Sequence, residues 1–365
     1  MPKADILVYD STSTYFMKGT NVMHILVIGG TNFMGPFVVG SLSGQGHEVT
    51  VFHRGQTRTD LPHGVKEILG DRSSLTERAV QLQGLAPEVV LDMIPFTEQD
   101  ALEVMSVFRG IARRIVAISS QDVYRAFGRV NGKEASAVES VPLTGESPLR
   151  ENLYPYRGET PRDQDDPRRW QDDYDKILVE RVVMGDIDLP GTILRLPMVY
   201  GPEDYQHRLF SFLKRMDDYR PAILLDEAEA QWRWTHGYVE NVADAIAMAV
   251  TDERAARRIY NVGEPFTFTM SEWVDKIGQV AEWRGKVVLI SHGRLPEPLR
   301  WGINAEQDIV VDTSPIRREL GYEERVNLEE ALRRTVAWER ANPPKDIDPK
   351  EFDYAVEDAF LNAGN

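Results

Sequence analysis

A doubly wound α/β fold, with a parallel sheet covered by helices on both faces, is what this sequence predicts. Three observations carry the prediction. His24-Ile25-Leu26-Val27-Ile28 is a continuous apolar run that ends in glycines, as a strand buried on both faces should be. Comparable runs at 48–52, 65–69, 88–94, 114–118 and 192–196 alternate with helical stretches at 37–42, 101–108 and 177–184. The chain of 365 residues also exceeds one minimal domain, which points to two lobes or one enlarged unit.

Each element follows from its local pattern. Pro36 suits the first turn of the first helix, where its missing N–H costs nothing. The segment 131–173, between the fifth strand and its helix, is rich in Pro, Gly and charge and is long for a connection, which marks it as functional or disordered. After Pro202 the alternation loosens, with helices expected at 208–216, 239–250, 271–281 and 328–339 and strands at 258–262 and 286–290. Residues 1–22 read as an extension ahead of the first strand. The acidic tail 343–365 starts at Pro343-Pro344 and carries Phe352, Tyr354, Phe360 and Leu361, apolar residues suited to docking.

Composition excludes several classes of function. Hydrophobic content of 42% with 27% charged residues is that of a folding chain. A net charge of −16 repels phosphate backbones and anionic membranes, which argues against nucleic-acid and membrane partners. The absence of cysteine removes disulfides, thiolate metal sites and thiol nucleophiles. No run approaches the roughly 20 apolar residues of a membrane span, and the N-terminus lacks a secretory pattern, so a soluble cytoplasmic protein is expected. His53 and His236 have no partner spacing for zinc, and the carboxylates of 163–175 read as a solvated face. No metal site is expected.

Gly29-Gly30-Thr31-Asn32-Phe33-Met34-Gly35 stands at the first strand–helix junction. Glycines there let the backbone turn tightly and approach a pyrophosphate, which the helix N-terminus attracts; this is a Rossmann-type dinucleotide turn. Contacts to the cofactor are therefore expected from Gly29, Thr31, Asn32, Phe33, Met34 and Gly35. An acidic residue at the end of the second strand would select NAD, but the strand ends His53-Arg54-Gly55. A guanidinium at Arg54, with Arg58 nearby, suits the additional phosphate of NADP, so NADP is favoured over NAD. His53 is placed beside it as a further contact.

These residues resemble the extended short-chain dehydrogenase/reductase superfamily, the NAD-dependent epimerases and dehydratases, over 23–339. Gly29 and Gly35 match the outer glycines of the family turn, with Asn32 in the middle position. Together with Gly46-His47-Glu48-Val49, this is similar to an atypical branch that includes the chloroplast stem-loop binding proteins. Gly70-Asp71-Arg72 resembles the family's adenine-contacting Gly-Asp, and the resemblance implies cofactor contacts from Asp71, Arg72 and Pro197. Ser119-Ser120-Gln121-Asp122-Val123-Tyr124 resembles the segment with the active-site hydroxyl, which falls on Ser120. Arg195 to Pro202, Tyr238 to Ala243, Tyr260 to Gly263, and Asp312 to Ser314 followed by Glu319 to Gly321, match further motifs in order.

The catalytic pair departs from the family. A Tyr-x-x-x-Lys spacing puts both side chains on one helical face, the lysine anchoring the nicotinamide ribose and the tyrosine exchanging a proton. Lys176 with Glu180 matches the lysine end, yet Asp172 stands four residues before it and Tyr174 only two. Two residues on a helix project about 200° apart, so Tyr174 and Lys176 share a face only if the helix begins between them. Asp172, Tyr154 and Tyr156 are the other candidates. Ser120, Tyr174 and Lys176 form the expected catalytic set, and Tyr124, Tyr200 and Arg233 the substrate-binding set. Trp232 and Trp234 beside Arg233 suit either stacking on a base or sugar, or the core.

The resulting organisation is a dinucleotide domain at 23–200 and a smaller C-terminal α/β substrate lobe at 201–342, with 235–262 returning to the first domain. The function implied is NAD(P)-dependent epimerase, dehydratase or reductase chemistry on a sugar or nucleotide-sugar, and family members often pair helices into homodimers. The alternative is a catalytically altered dinucleotide-binding protein with a regulatory or RNA-associated role.

Overall fold

The computed structural model describes residues 22–57, 59–291 and 293–363. The expected extension therefore lies, apart from Val22, outside the described residues, as does Arg58.

The first half alternates as its pattern requires: β1 (His24–Ile28), α1 (Met34–Gly44), β2 (Glu48–His53), β3 (Lys66–Leu69), α2 (Ala79–Gln83), β4 (Val89–Asp92), α3 (Glu98–Phe108), β5 (Arg114–Ser120), α4 (Arg125–Val130), α5 (Lys176–Gly185) and β6 (Gly191–Leu196). There follow β7 (Met198–Tyr200), α6 (Phe210–Asp217), β8 (Ala222–Asp226), α7 (Glu227–Gln231), β9 (His236–Tyr238), α8 (Val239–Thr251), β10 (Ile259–Asn261), α9 (Met270–Val280), β11 (Lys286–Ile290), α10 (Ser314–Leu320), α11 (Leu328–Ala341) and α12 (Ala355–Asn362).

The seven strands of the main sheet run in the order β10-β6-β5-β4-β1-β2-β3, and every neighbouring pair is parallel. Period-two alternation along β1 divides its residues between two cores. Ile25 and Val27 join Val38, Val39 and Leu42 of α1 and Ala245, Ile246 and Ala249 of α8. Leu26 and Ile28 join Val104, Met105 and Phe108 of α3 and Val179 and Val183 of α5. A sheet covered on both faces is the reason for its unbroken apolar strands.

The direction of winding reverses between β1 and β4. In open α/β sheets, the crevice outside the carboxyl ends of the strands at such a reversal is where ligands bind. The elements after β6 extend this edge. β7 pairs with β9, and β8 pairs with β11, each in parallel, while β10 returns to the main sheet beside β6.

The long segment after α4 has little regular structure but is pinned. Leu143 bridges to Val311, Leu149 bridges to Tyr124, and the buried Arg150 pairs with Asp175 at 3.3 Å. The tail docks as well: Phe352 meets Phe210 edge-on at 5.9 Å, Glu357 pairs with Arg215 at 2.9 Å, and Phe360 and Leu361 pack on Leu224 and Ile290. Among the described residues, no helix is long and apolar enough to cross a membrane.

Candidate active site

The glycine turn closes tightly over the end of β1. A Cβ on Gly35 would lie 2.4 Å from the Gly30 carbonyl carbon, and Gly30 itself has φ +87° with its Cβ position 2.9 Å from Val27. Neither place admits a side chain. The Gly35 N–H donates to the Asn32 carbonyl at 2.9 Å, and Phe33 enters α1 at φ 49° with no side-chain cap and no acidic residue in the first turn. The positive end of the α1 dipole is thus left uncompensated by its own first turn. Asn32 is exposed, Thr31 is buried, and the Thr31 carbonyl accepts from the Thr59 hydroxyl at 2.6 Å. A backbone cradle that excludes Cβ atoms, at a helix start without its own anion, fits a pyrophosphate.

The residues expected around the adenosine end divide. Arg54 is exposed, and its charge contributes to lowering the pKa of Asp71, after the larger effect of hydrogen bonds from Ser73. Asp71 is also exposed; its Oδ1 accepts from the Ser73 N–H at 2.9 Å. His53 is buried and engaged on both nitrogens, by Glu67 at 2.8 Å and the Gly55 N–H at 3.2 Å. Arg72 turns inward, giving two hydrogen bonds to Asp92 at 2.7 and 2.6 Å and one to Asp100 at 2.8 Å, so its guanidinium braces β4 and the start of α3.

Ser120, Tyr174 and Lys176 are brought together at the carboxyl end of β5. The question of register is resolved by the start of α5: Asp175 is an extended N-cap at φ −159°, whose side chain accepts from the Ile177 N–H. Tyr174 therefore precedes the helix and Lys176 is its first residue, so the 200° separation does not apply. Lys176 is buried and its Nζ donates to the carbonyls of Pro95 at 2.7 Å and Ile118 at 2.9 Å. Burial lowers its pKa to about 8, opposed by the charge of Asp122. Tyr174, 7% exposed, donates to Asp122 Oδ2 at 2.8 Å. Burial, with the Asp122 charge, holds its phenol well above the ordinary range. Ser120 Oγ accepts from the Asp122 N–H at 3.2 Å.

The other candidates for the displaced tyrosine separate clearly. Asp172 is held by Arg162 and by Arg169, the latter at 3.2 Å, away from this cluster. Tyr154 presents its ring to Arg157, 3.8 Å from the guanidinium carbon. Tyr156 does reach in, donating to Asp122 Oδ2 at 3.0 Å.

The expected substrate-binding set is engaged mostly by neighbouring protein groups. Tyr124 and Tyr200 are fully buried. The Tyr124 hydroxyl has its one hydrogen between two acceptors, the Thr144 carbonyl at 2.9 Å and Asn261 Oδ1 at 2.7 Å, and accepts from Arg195 at 3.1 Å; that of Tyr200 donates to Glu264 at 2.7 Å. Both are interior braces, because nearby polar groups satisfy their hydroxyls. Arg233 is partly exposed but paired with Asp308 at 2.6 Å. Trp232 belongs to the core, with Nε1 donating to the Gln307 carbonyl at 2.7 Å. Pro197 is partly buried and lies against Gly237 and Gly263.

Asp122 is the residue given no role from sequence. It is buried, with two tyrosine hydroxyls on one oxygen and no partner on Oδ1. The available signal was a carboxylate inside the otherwise uncharged run Ser119 to Tyr124. Beneath it, Glu180 takes Arg195 at 2.9 and 2.7 Å and the Ser119 hydroxyl at 2.6 Å, tying α5 to β5 and β6.

Comparison with known proteins bears out the resemblance and the fold class. Residues 151–263 match the model of the NAD dependent epimerase/dehydratase family. The chain is 22% identical to the chloroplast stem-loop binding protein of 41 kDa b of Arabidopsis thaliana, over 71% of this chain and 64% of that protein. It is 23% identical to 2'-dehydrokanamycin reductase of Streptomyces kanamyceticus, over 64% and 60%. The chain thus spans less than two thirds of the length of the curated relatives it matches. Among solved structures, the Bordetella bronchiseptica enzyme WbmG in complex with NAD and UDP superimposes with a TM-score of 0.65 at 17% identity, covering 90% of this chain and 98% of that one.

Proposed function

We propose that the protein is an NAD(P)-dependent epimerase, dehydratase or reductase acting on a sugar or nucleotide-sugar. The observation that carries the reading is a juxtaposition at one sheet edge. Where the strand order reverses, the segment 93–95 after β4 runs from the glycine turn, with Met93 and Ile94 against Gly29, to Pro95, whose carbonyl holds Lys176. A dinucleotide cradle and a buried lysine beside two hydroxyls are thereby parts of one crevice.

When bound, the nicotinamide supplies hydride transfer to or from a substrate carbon. Lys176 has given two of its three hydrogens to carbonyls, which leaves one for a ribose hydroxyl. Ser120 and Tyr174 would supply hydroxyls for the substrate oxygen: as hydride leaves the substrate carbon, the proton of its hydroxyl would pass to Tyr174 while Tyr174 gives its own to Asp122, and the same relay would run in reverse when hydride arrives. Arg54 favours NADP, although the NAD complex of the WbmG enzyme keeps NAD in contention. The substrate class is supported by the UDP bound in that structure and by the reductase relative, whose name gives a sugar-derived substrate.

The burial of Tyr174 favours a second reading, a dinucleotide-binding protein without turnover. Thermal unfolding with NADP and with NAD tests the first requirement. A ligand at a hundred times its Kd stabilises by about 2.7 kcal/mol, so a rise in Tm is expected, larger with NADP; no rise with either overturns the proposal. Lys176→Ala then separates the readings, since loss of turnover with retained folding belongs to the enzyme alone.

A further inference from the structure

We propose that Tyr156 is a positioning residue of the proton-transfer site: through Asp122 it fixes the hydroxyl of Tyr174, replacing the alignment that a four-residue helical spacing would have provided. The proposal rests on the hydride-transfer reading of this site. Tyr174 stands outside α5, so the helix that places Lys176 does not place the phenol. Its hydroxyl is held by Asp122 Oδ2, and the same oxygen accepts from Tyr156 at 3.0 Å. The Tyr156 and Tyr174 rings pack at 5.2 Å between centroids. A buried carboxylate oxygen that accepts two hydroxyls is held in the plane that serves both, because each bond weakens steeply as it bends. Removing either donor frees it to turn.

The groups facing Asp122 come from several segments. Tyr156 lies in the long connection and Tyr174 just before α5. Arg150 donates through Nε to the Asp122 carbonyl at 2.5 Å, Lys176 contributes its charge, and Ser120 receives the Asp122 N–H. Burial pushes the Asp122 carboxyl up, and the bonds from Tyr174 and Tyr156 with the charges of Arg150 and Lys176 oppose it. Tyr156→Phe keeps the ring and deletes one opposing bond, so the Asp122 midpoint should rise.

The test uses the full chain with carbon-13-labelled aspartate carboxyls, the Asp122 signal being assigned by its loss in Asp122→Asn. In the cofactor-free protein, Tyr156→Phe is expected to raise the Asp122 midpoint by about one pH unit, roughly tenfold in proton affinity. With NADP and substrate, the acidic limb of kcat/KM should move up by the same amount, while Val138→Ala, a change at an exposed position of the same connection, should move neither. In an Asp122→Asn background, Tyr156→Phe should leave the pH profile where it was, which separates positioning from a general loss of packing. An unchanged midpoint, or a shift equally produced by Val138→Ala, overturns the assignment while leaving the NADP-binding result untouched. A normal titration shift with no NADP-dependent turnover overturns the hydride-transfer reading, and with it the role of Tyr156 in proton transfer.

Discussion

The glycine turn and the entry to α5 lie on the same edge of the same sheet, yet they are built by different means. The turn is local: Gly30 and Gly35 approach so closely that only hydrogen fits between them, and seven consecutive residues define the shape. The entry to α5 is assembled from a distance. Tyr174 takes its position from Asp122, fifty-two residues earlier, and Lys176 from carbonyls at Pro95 and Ile118. A binding cradle can therefore be preserved by sterics alone, whereas a proton-handling group can change its place in the sequence provided another part of the fold holds it.

Breaking each side separately sharpens that contrast. The largest effect is expected at the assembled side: Lys176→Met should lower turnover by about 10²–10⁴-fold, the usual worth of a lost proton-transfer partner or anchor, with the circular-dichroism melting curve retained. At the local side, Gly35→Val forces side-chain atoms into the Gly30 backbone. It should cost roughly 3 kcal/mol of stability, the upper part of the range for overpacking, measured by urea unfolding.

The buried lysine also gives a pH signature with two opposite signs. Its pKa is about 8 in the folded chain against 10.5 for the free side chain, so between those values the unfolded chain holds a proton that the folded one lacks. Its contribution to stability therefore rises as pH climbs from about 8 to about 10.5, by roughly 3 kcal/mol at most. Turnover that requires the cation falls over the same approach to alkaline pH. Urea midpoints of the native chain and Lys176→Met, compared at pH 7.5 and 10, should differ in slope by that contribution. The smallest effect is expected at Arg54: Arg54→Ala should weaken NADP about tenfold and NAD hardly at all, as measured by calorimetry, because one exposed phosphate contact contributes on the order of 1 kcal/mol.

The same division governs what could be read from the chain. β1, β2, β5 and β6 were legible because burial on both faces leaves unbroken apolar runs, and α8, α9 and α11 because their apolar stripes face one core. β7 and β9 are three residues each, too short for any periodicity. β8, Ala-Ile-Leu-Leu-Asp, is buried throughout, but lies in the stretch where the alternation had loosened. At the site, Ser120 and Lys176 were picked out by the motifs they resemble, and the fold sets both beside Asp122. The surroundings of Arg72, Tyr124 and Tyr200 were not legible, because they depend on which carboxylate or amide the fold brings beside them: Asp92 and Asp100, Asn261, and Glu264. Tyr174 was ambiguous until Asp175 proved to be an extended cap.

The central claim is that the backbone at the mouth of β1 and α1 holds the diphosphate bridge of a dinucleotide. A crystal structure of the protein soaked with NADP tests it most directly. The account predicts the pyrophosphate against the N–H groups of Phe33 and Met34, with the nicotinamide ribose at Lys176 Nζ. A dinucleotide bound elsewhere, or an empty turn at saturating NADP, would contradict it.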